Sequence, residues 1–239
     1  MIKVYELVTQ HAELGVSLGP FVVAAELFLK HKGLEFESIP LTFVEVGPTI
    51  KELTEGKWDR VPVVVFDNSD VIFDSPEIAK YLDEKYPDSR LDPDNTALDE
   101  IINDYSSNIA PNAILNAFDD LFALLEPENQ VYFRLTREKF FGKKLEEVSG
   151  NRDINTMKFI QNIAKIDDLL STSKFLNGNK PLIHDYTLAS RIQYFRTVSP
   201  RTYKELILNG PNFNLLRWTR DMDNLFDDFL KNRKTVKYD

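Results

Sequence analysis

The chain has 239 residues, enough for one large domain or two modest ones with real cores. Its 29 basic and 38 acidic residues leave a formal charge of −9 with no basic stripe, which argues against a nucleic-acid surface. The absence of cysteine excludes disulfides, thiolate metal sites and a protein thiol nucleophile, and three separated histidines (His11, His31 and His184) argue against zinc.

Residues 2–8 alternate apolar and polar as a half-buried strand does, and residues 9–20 read as a loop ending at Gly19-Pro20. From Phe21 the apolar positions Val22, Ala25, Phe28 and Leu29 follow a helical period. Lys30-His31-Lys32-Gly33 ends that helix with cations and a C-terminal glycine. A second strand is expected at residues 36–41 and a single helical turn at 49–53. Strands at 61–66 and 71–73 flank a turn at 67–70. A helix then runs from Ser75 to about Lys85, with Ser75 as its N-cap and Pro76 at the first helical position.

Residues 87–94 are polar and proline-rich, which reads as a linker. Beyond them every periodic segment is helical. A long helix spans 101–125 with a kink at Pro111, and further helices are expected at 131–148, 157–170, 181–198 and 212–230. The segment at 181–198 is apolar on all sides and is expected to be central. The order β-α-β-(α)-β-β-α followed by helices predicts an α/β thioredoxin-like N-terminal domain over 1–86 and an all-α C-terminal helical domain over 95–239. No run is long enough to cross a bilayer and residues 1–5 lack a signal-peptide pattern, so a soluble cytoplasmic protein is expected.

Two short signatures point to a site. Pro62, in Arg60-Val61-Pro62-Val63, removes a ladder donor from an apolar strand and belongs at an edge, a bulge or a cis bond. Asp74-Ser75-Pro76 opens a helix whose free N–H groups and dipole favour an anion. An open strand edge beside such a terminus suits a small peptide carrying a carboxylate.

On these residues, and on Asn177-Gly178 followed by Asp185, nearly the whole chain resembles a cytosolic glutathione transferase. More narrowly, it is similar to the β-aryl-etherase branch and its fungal relatives. That likeness rests on Lys30-His31-Lys32-Gly33-Leu34, on Arg60-Val61-Pro62-Val63, on the run from Ala79 to Pro87, and on Tyr132-Phe133-Arg134 through Leu145-Glu146. The resemblance implies glutathione as co-substrate. Val61 and Pro62 would pair with its cysteinyl backbone, Ser75 would hold the γ-glutamyl carboxylate, Asp74 its ammonium, and Arg60, with Lys57 as a second choice, the glycyl carboxylate. Asp185 would be a structural capping residue.

The resemblance also implies a group that lowers the glutathione thiol pKa. Etherase-like members place a serine directly before the loop proline, where this chain has Gly19. Ser17 is the catalytic side chain assigned to that role, with Thr9 and the N–H groups of Phe21 and Val22 as alternatives. The second substrate, hydrophobic and aromatic, would sit between the domains, near residues 108–112, Phe118 and Phe122. The implied reaction is attack of the thiolate on an electrophilic carbon, including β-aryl ether cleavage, in a homodimer without nucleic-acid or membrane partners. A non-catalytic protein of the same fold, binding apolar ligands or a protein partner, is the alternative that Gly19 supports.

Overall fold

Alternation along the first strand sets up a sheet with two covered faces. In a computed structural model of the chain, describing residues 1–13, 15–92 and 95–236, β1 (Ile2–Leu7) pairs in parallel with β2 (Phe36–Leu41). On its other side β1 runs antiparallel to β3 (Val63–Val65), which is antiparallel to β4 (Val71–Phe73), giving the order β2-β1-β3-β4. Ile2, Val4 and Val64 point to one face, where α1 (Pro20–His31) and α3 (Ser75–Lys85) cover them. Tyr5, Leu41 and Val63 point to the other, against Val46 and Ile50 of α2 (Phe43–Leu53). Leu27, Phe28 and Leu29 of α1 are almost fully buried, and each such side chain contributes roughly 1.5–3 kcal/mol.

The helix α2 corrects the expectation of a single turn at 49–53. Gly47-Pro48 reads as a breaker, yet the helix starts at Thr42, whose N–H and hydroxyl both donate to the Glu45 carboxylate at 2.8 and 2.9 Å. That N-terminal lock offsets the donor missing at Pro48.

The helical half follows as α4 (Thr96–Asp104), α5 (Ala110–Ala123), α6 (Pro127–Phe141), α7 (Leu145–Val148), α8 (Arg152–Leu170), α9 (Ile183–Val198), α10 (Pro200–Tyr203) and α11 (Phe213–Asp223). The kink expected at Pro111 is a π turn over Tyr105–Ile109, immediately ahead of the proline. The helix expected over 131–148 is instead broken by Gly142, whose φ of 64° is the left-handed conformation that ends helices. The last helix also stops early, at Asp223. Phe226, Asp227 and Asp228, at φ 53°, 56° and 60°, turn the chain back toward α1. No described helix is long and apolar enough to cross a membrane.

Helices α1 and α9 pack together, and α9 buries residues on every side as expected. At the end of α1, the His31 imidazole meets the Tyr186 hydroxyl at 2.8 Å and the Ser89 hydroxyl at 2.9 Å, and burial holds its pKa below the usual value. It is a structural node at the C-terminus of α1.

Beside it Lys32, its side chain 1% exposed, donates to Asp83 at 2.6 Å, to the Tyr86 carbonyl at 2.7 Å and to the Ser89 carbonyl. Asp83 also accepts from the Leu91 and Asp92 N–H groups, so this pair fastens the connecting segment to the first half. Of the linker expected at 87–94, Pro93 and Asp94 lie outside the described residues, as do the last three residues of the expected second domain. Removing one member of a buried pair strands the other, so Lys32→Met is expected to cost about 3–5 kcal/mol in urea unfolding. An unchanged unfolding midpoint would contradict that reading.

Candidate functional site

The antiparallel register of β1 and β3 pairs Tyr5 with Val63, which carries Val61 toward Leu7 at the end of β1. The Leu7 carbonyl accepts the Leu18 N–H at 2.9 Å, and a Cβ on Gly19 would lie 3.8 Å from the Leu7 Cβ. The start of α1 and the Val61-Pro62 segment therefore share one end of the sheet. The Val61–Pro62 bond is cis, and β3 begins only at Val63. Among the described residues, neither the N–H nor the C=O of Val61 has a hydrogen-bond partner.

The start of α3 adjoins this segment, because the Asp74 N–H donates to the Pro62 carbonyl at 3.4 Å. Asp74 is the N-cap, at φ 68°, and Ser75 is the first helical residue; this corrects the expectation by one position. The Asp74 carbonyl accepts the first intrahelical bond, from Ile78 at 2.9 Å. The Ser75 hydroxyl, the Asp74 carboxylate and the N–H groups of Ser75 and Glu77 have no partner among the described residues. Both side chains are half-buried. Unclaimed donors at a helix start, next to the unpaired backbone of Val61, are groups suited to an extended anionic peptide.

Arg60 stands at the rim. Its side chain is 77% exposed, lies 5.3 Å over the Trp58 ring and touches Asp59 at 3.3 Å. Lys57 is exposed and pairs with Glu55.

Ser17 lies elsewhere. It bridges to Val8 in a short antiparallel turn, and its hydroxyl accepts from Arg233 at 3.0 Å. It lines a cavity of about 310 Å³ with Glu6, Glu26, Ser38, Phe229 and Arg233, shared with none of Arg60, Val61, Pro62, Asp74 and Ser75. The same guanidinium pairs with Glu26 at 2.5 Å, while burial pushes the Glu26 carboxyl up against that attraction. Sequence could not show this, because Arg233 returns from the far end of the chain.

Thr9 is enclosed by the loop before α1. It is 1% exposed, and its hydroxyl accepts the Val16 N–H at 3.1 Å. Of the backbone donors at the start of α1, the Val22 N–H is taken by the Gly19 carbonyl at 3.0 Å. The Phe21 N–H has no acceptor among the described residues.

Phe21, 48% exposed, opens onto an apolar cavity of about 120 Å³ lined also by Pro20, Ile114, Arg191, Tyr194 and Phe195. Ala110, in the segment expected to line a substrate pocket, is part of its wall. Phe118 and Phe122 are not. Their rings pack against Phe133 at 5.1 and 6.2 Å, in the core of the helical half. Nothing in the sequence singles out Arg191 and Tyr194, because α9 is buried on nearly every side and the face that lines the pocket carries no pattern of its own.

Asp185 is buried completely at the start of α9. One carboxylate oxygen accepts from the Leu176 N–H and the Trp218 indole, both at 2.8 Å; the other accepts from Asn177 at 3.0 Å and the Leu182 N–H at 3.3 Å. These bonds answer how the helix start is satisfied without a serine or threonine cap. No group of metal-ligating side chains occurs among the described residues.

Comparison with known proteins agrees with this architecture. The family model of the glutathione S-transferase N-terminal domain matches residues 18–85, and that of the glutathione S-transferase C-terminal domain matches residues 97–212. A curated relative, the glutathione S-transferase-like protein ustS of Aspergillus flavus, is 23% identical over 216 residues, covering 79% of this chain and 78% of that protein. Among solved structures, glutathione transferase GSTFuA3 of Phanerochaete chrysosporium superposes with a TM-score of 0.80 at 23% identity, covering 98% of both chains. The glutathione S-transferase CsGST83044 of Ceriporiopsis subvermispora, solved in complex with glutathione, gives 0.77 at 21% identity over 94% of this chain and 98% of that one. A four-stranded mixed sheet with its helices, followed by a helical half, is thus matched in sequence and in fold by one family: the chain belongs to the glutathione S-transferases.

Proposed function

We propose that the protein transfers glutathione to a hydrophobic, aromatic electrophile. The observation that carries this reading is the set of unclaimed groups at one end of the sheet: the Val61 backbone, the Asp74 carboxylate, the Ser75 hydroxyl and the helix-start N–H groups. Each has a counterpart on glutathione. Val61 pairs with the cysteinyl N–H and C=O as a neighbouring strand would. The Ser75 hydroxyl and the free N–H groups of α3 hold the γ-glutamyl carboxylate, and Asp74 takes the ammonium. Arg60 swings over the rim to the glycyl carboxylate. A structural neighbour crystallised with glutathione supports this choice of peptide.

The thiolate is stabilised by the Phe21 N–H at the start of α1, where the helix dipole adds to the donor. Ser17 opens onto a cavity that holds none of the glutathione-site residues and Thr9 is 1% exposed, so the activating donor is assigned to the backbone. An ordinary thiol has a pKa of about 8.5, and helix N-termini lower it. The thiolate sulfur then attacks the electrophilic carbon held in the apolar cavity beside Phe21, and the leaving group departs with the bonding pair. A β-aryl ether, which loses an aryloxide, is one electrophile of this class. The active unit is a homodimer, with residues 1–86 binding glutathione and residues 95–239 forming the wall of the second site.

Calorimetric titration with glutathione, followed by turnover of 1-chloro-2,4-dinitrobenzene, tests the proposal. Saturable binding with enzyme-dependent thioether formation is expected. Binding without turnover of any electrophile would favour a ligand-binding protein of this fold, a reading consistent with Gly19 standing where etherase-like relatives carry a hydroxyl.

A further inference from the structure

Arg191 is an arginine without an acid. It projects from α9 into the wall of the apolar cavity beside Phe21, its guanidinium 5.6 Å from that ring. Both of its hydrogen bonds leave from Nη1, to the Ser106 hydroxyl at 2.5 Å and to the Ile102 carbonyl at 3.4 Å. Nε and Nη2 have no acceptor among the described residues, and no carboxylate there lies within ion-pair distance. Asp104, the acidic residue at the end of α4, pairs instead with Lys165 at 3.3 Å. Burial pushes the Arg191 guanidinium below its usual value. The Tyr105 hydroxyl is buried without a partner.

A guanidinium held in apolar surroundings with two nitrogens unclaimed is costly unless an anion completes it. Beside Arg191, its partner Ser106 and Tyr194, the cavity wall is apolar: Pro20, Phe21, Ala110, Ile114 and Phe195. Its volume of about 120 Å³ suits a single substituted ring. Resting on the transferase reading above, we infer that the second substrate is an aromatic electrophile bearing a carboxylate, which Arg191 accepts through Nε and Nη2.

Arg191 acts here as a specificity-determining residue. In the reaction the thiolate sulfur forms a bond to the ring carbon, the carbon–halogen bond breaks, and halide leaves with the bonding pair. The thiol proton has already passed to solvent. The carboxylate stays intact and orients the ring toward the Phe21 N–H. A fork of two parallel donors fits a planar carboxylate better than an ammonium does.

The test compares 4-chloro-3,5-dinitrobenzoate with its neutral methyl ester, each enzymatic rate divided by the uncatalysed rate. The wild-type protein is expected to favour the acid by roughly tenfold or more in kcat/KM, mainly through a lower KM. Arg191→Met should abolish that ratio, and Arg191→Lys should restore part of it. Because the readout is a ratio, a general loss of folding lowers both rates and does not imitate the effect. Equal turnover of acid and ester by the wild type, or a preference that survives Arg191→Met, would overturn the inference while leaving the transferase reading intact. Should neither be turned over, that reading fails, and calorimetry with 4-nitrobenzoate against nitrobenzene decides the site alone. Selective binding of the benzoate that Arg191→Met removes supports it; no benzoate binding overturns it.

Discussion

Replacing Asp185 by alanine is expected to destabilise the protein by about 4 kcal/mol or more. Its two oxygens satisfy four donors, three of them from the loop before α9 and the fourth from the indole of Trp218 on α11. Each buried donor left without an acceptor costs roughly 1–3 kcal/mol, and water reaching the gap recovers part of that. Folded domains have about 5–15 kcal/mol in total, so the variant should lose a large fraction of its stability. Asp185→Asn keeps one acceptor oxygen but turns an amide N–H₂ toward donors, and should fall between the two. Urea unfolding followed by tryptophan fluorescence would check the order, because Trp218 is itself one of the donors. Equal midpoints for all three proteins would mean that the start of α9 is held by something else.

The second large effect concerns binding and should leave stability untouched. Ser75→Ala is expected to weaken glutathione binding by roughly 10- to 100-fold, the range for one hydrogen bond to a charged group. In the free protein the Ser75 hydroxyl bonds to nothing among the described residues, and Asp74 holds the N-cap position. The substitution therefore removes no internal contact, and unfolding should shift by no more than about 0.5 kcal/mol. An affinity loss without a stability loss separates a ligand-holding hydroxyl from an ordinary cap, for which the opposite pattern holds. Unchanged affinity would move the γ-glutamyl carboxylate onto the backbone N–H groups alone.

The parts of the fold that sequence made legible were those governed by local chemistry. The span of β2, the cations and glycine ending α1, and the apolar run of α9 are all short-range patterns, and each is found where expected. The first two turns of α2 are hidden in the sequence because Gly47-Pro48 interrupts the helical pattern, and the Thr42–Glu45 lock that starts the helix is a side-chain contact. Gly142 sits inside a continuing helical period, so its role as the left-handed stop of α6 shows only in the backbone.

The candidate site divides along the same line. Val61-Pro62 and Asp74-Ser75 are close in sequence and meet through a three-residue hairpin pair. The role of Ser17 turns on a contact with Arg233, and the apolar cavity needs α1, α5 and α9 together. No spacing rule carries information across such distances, so the sequence alone does not rank the two hydroxyls against the Phe21 N–H.

The most direct test of the account is the ultraviolet thiolate absorbance of protein-bound glutathione, followed across pH in the wild type and in Ser17→Ala. The expected result is a saturable thiolate signal at neutral pH, well below the ordinary thiol pKa of about 8.5, and the same titration in the variant. Loss of the signal in Ser17→Ala would return activation to that hydroxyl. No bound thiolate in either protein would contradict an activated glutathione site at the start of α1.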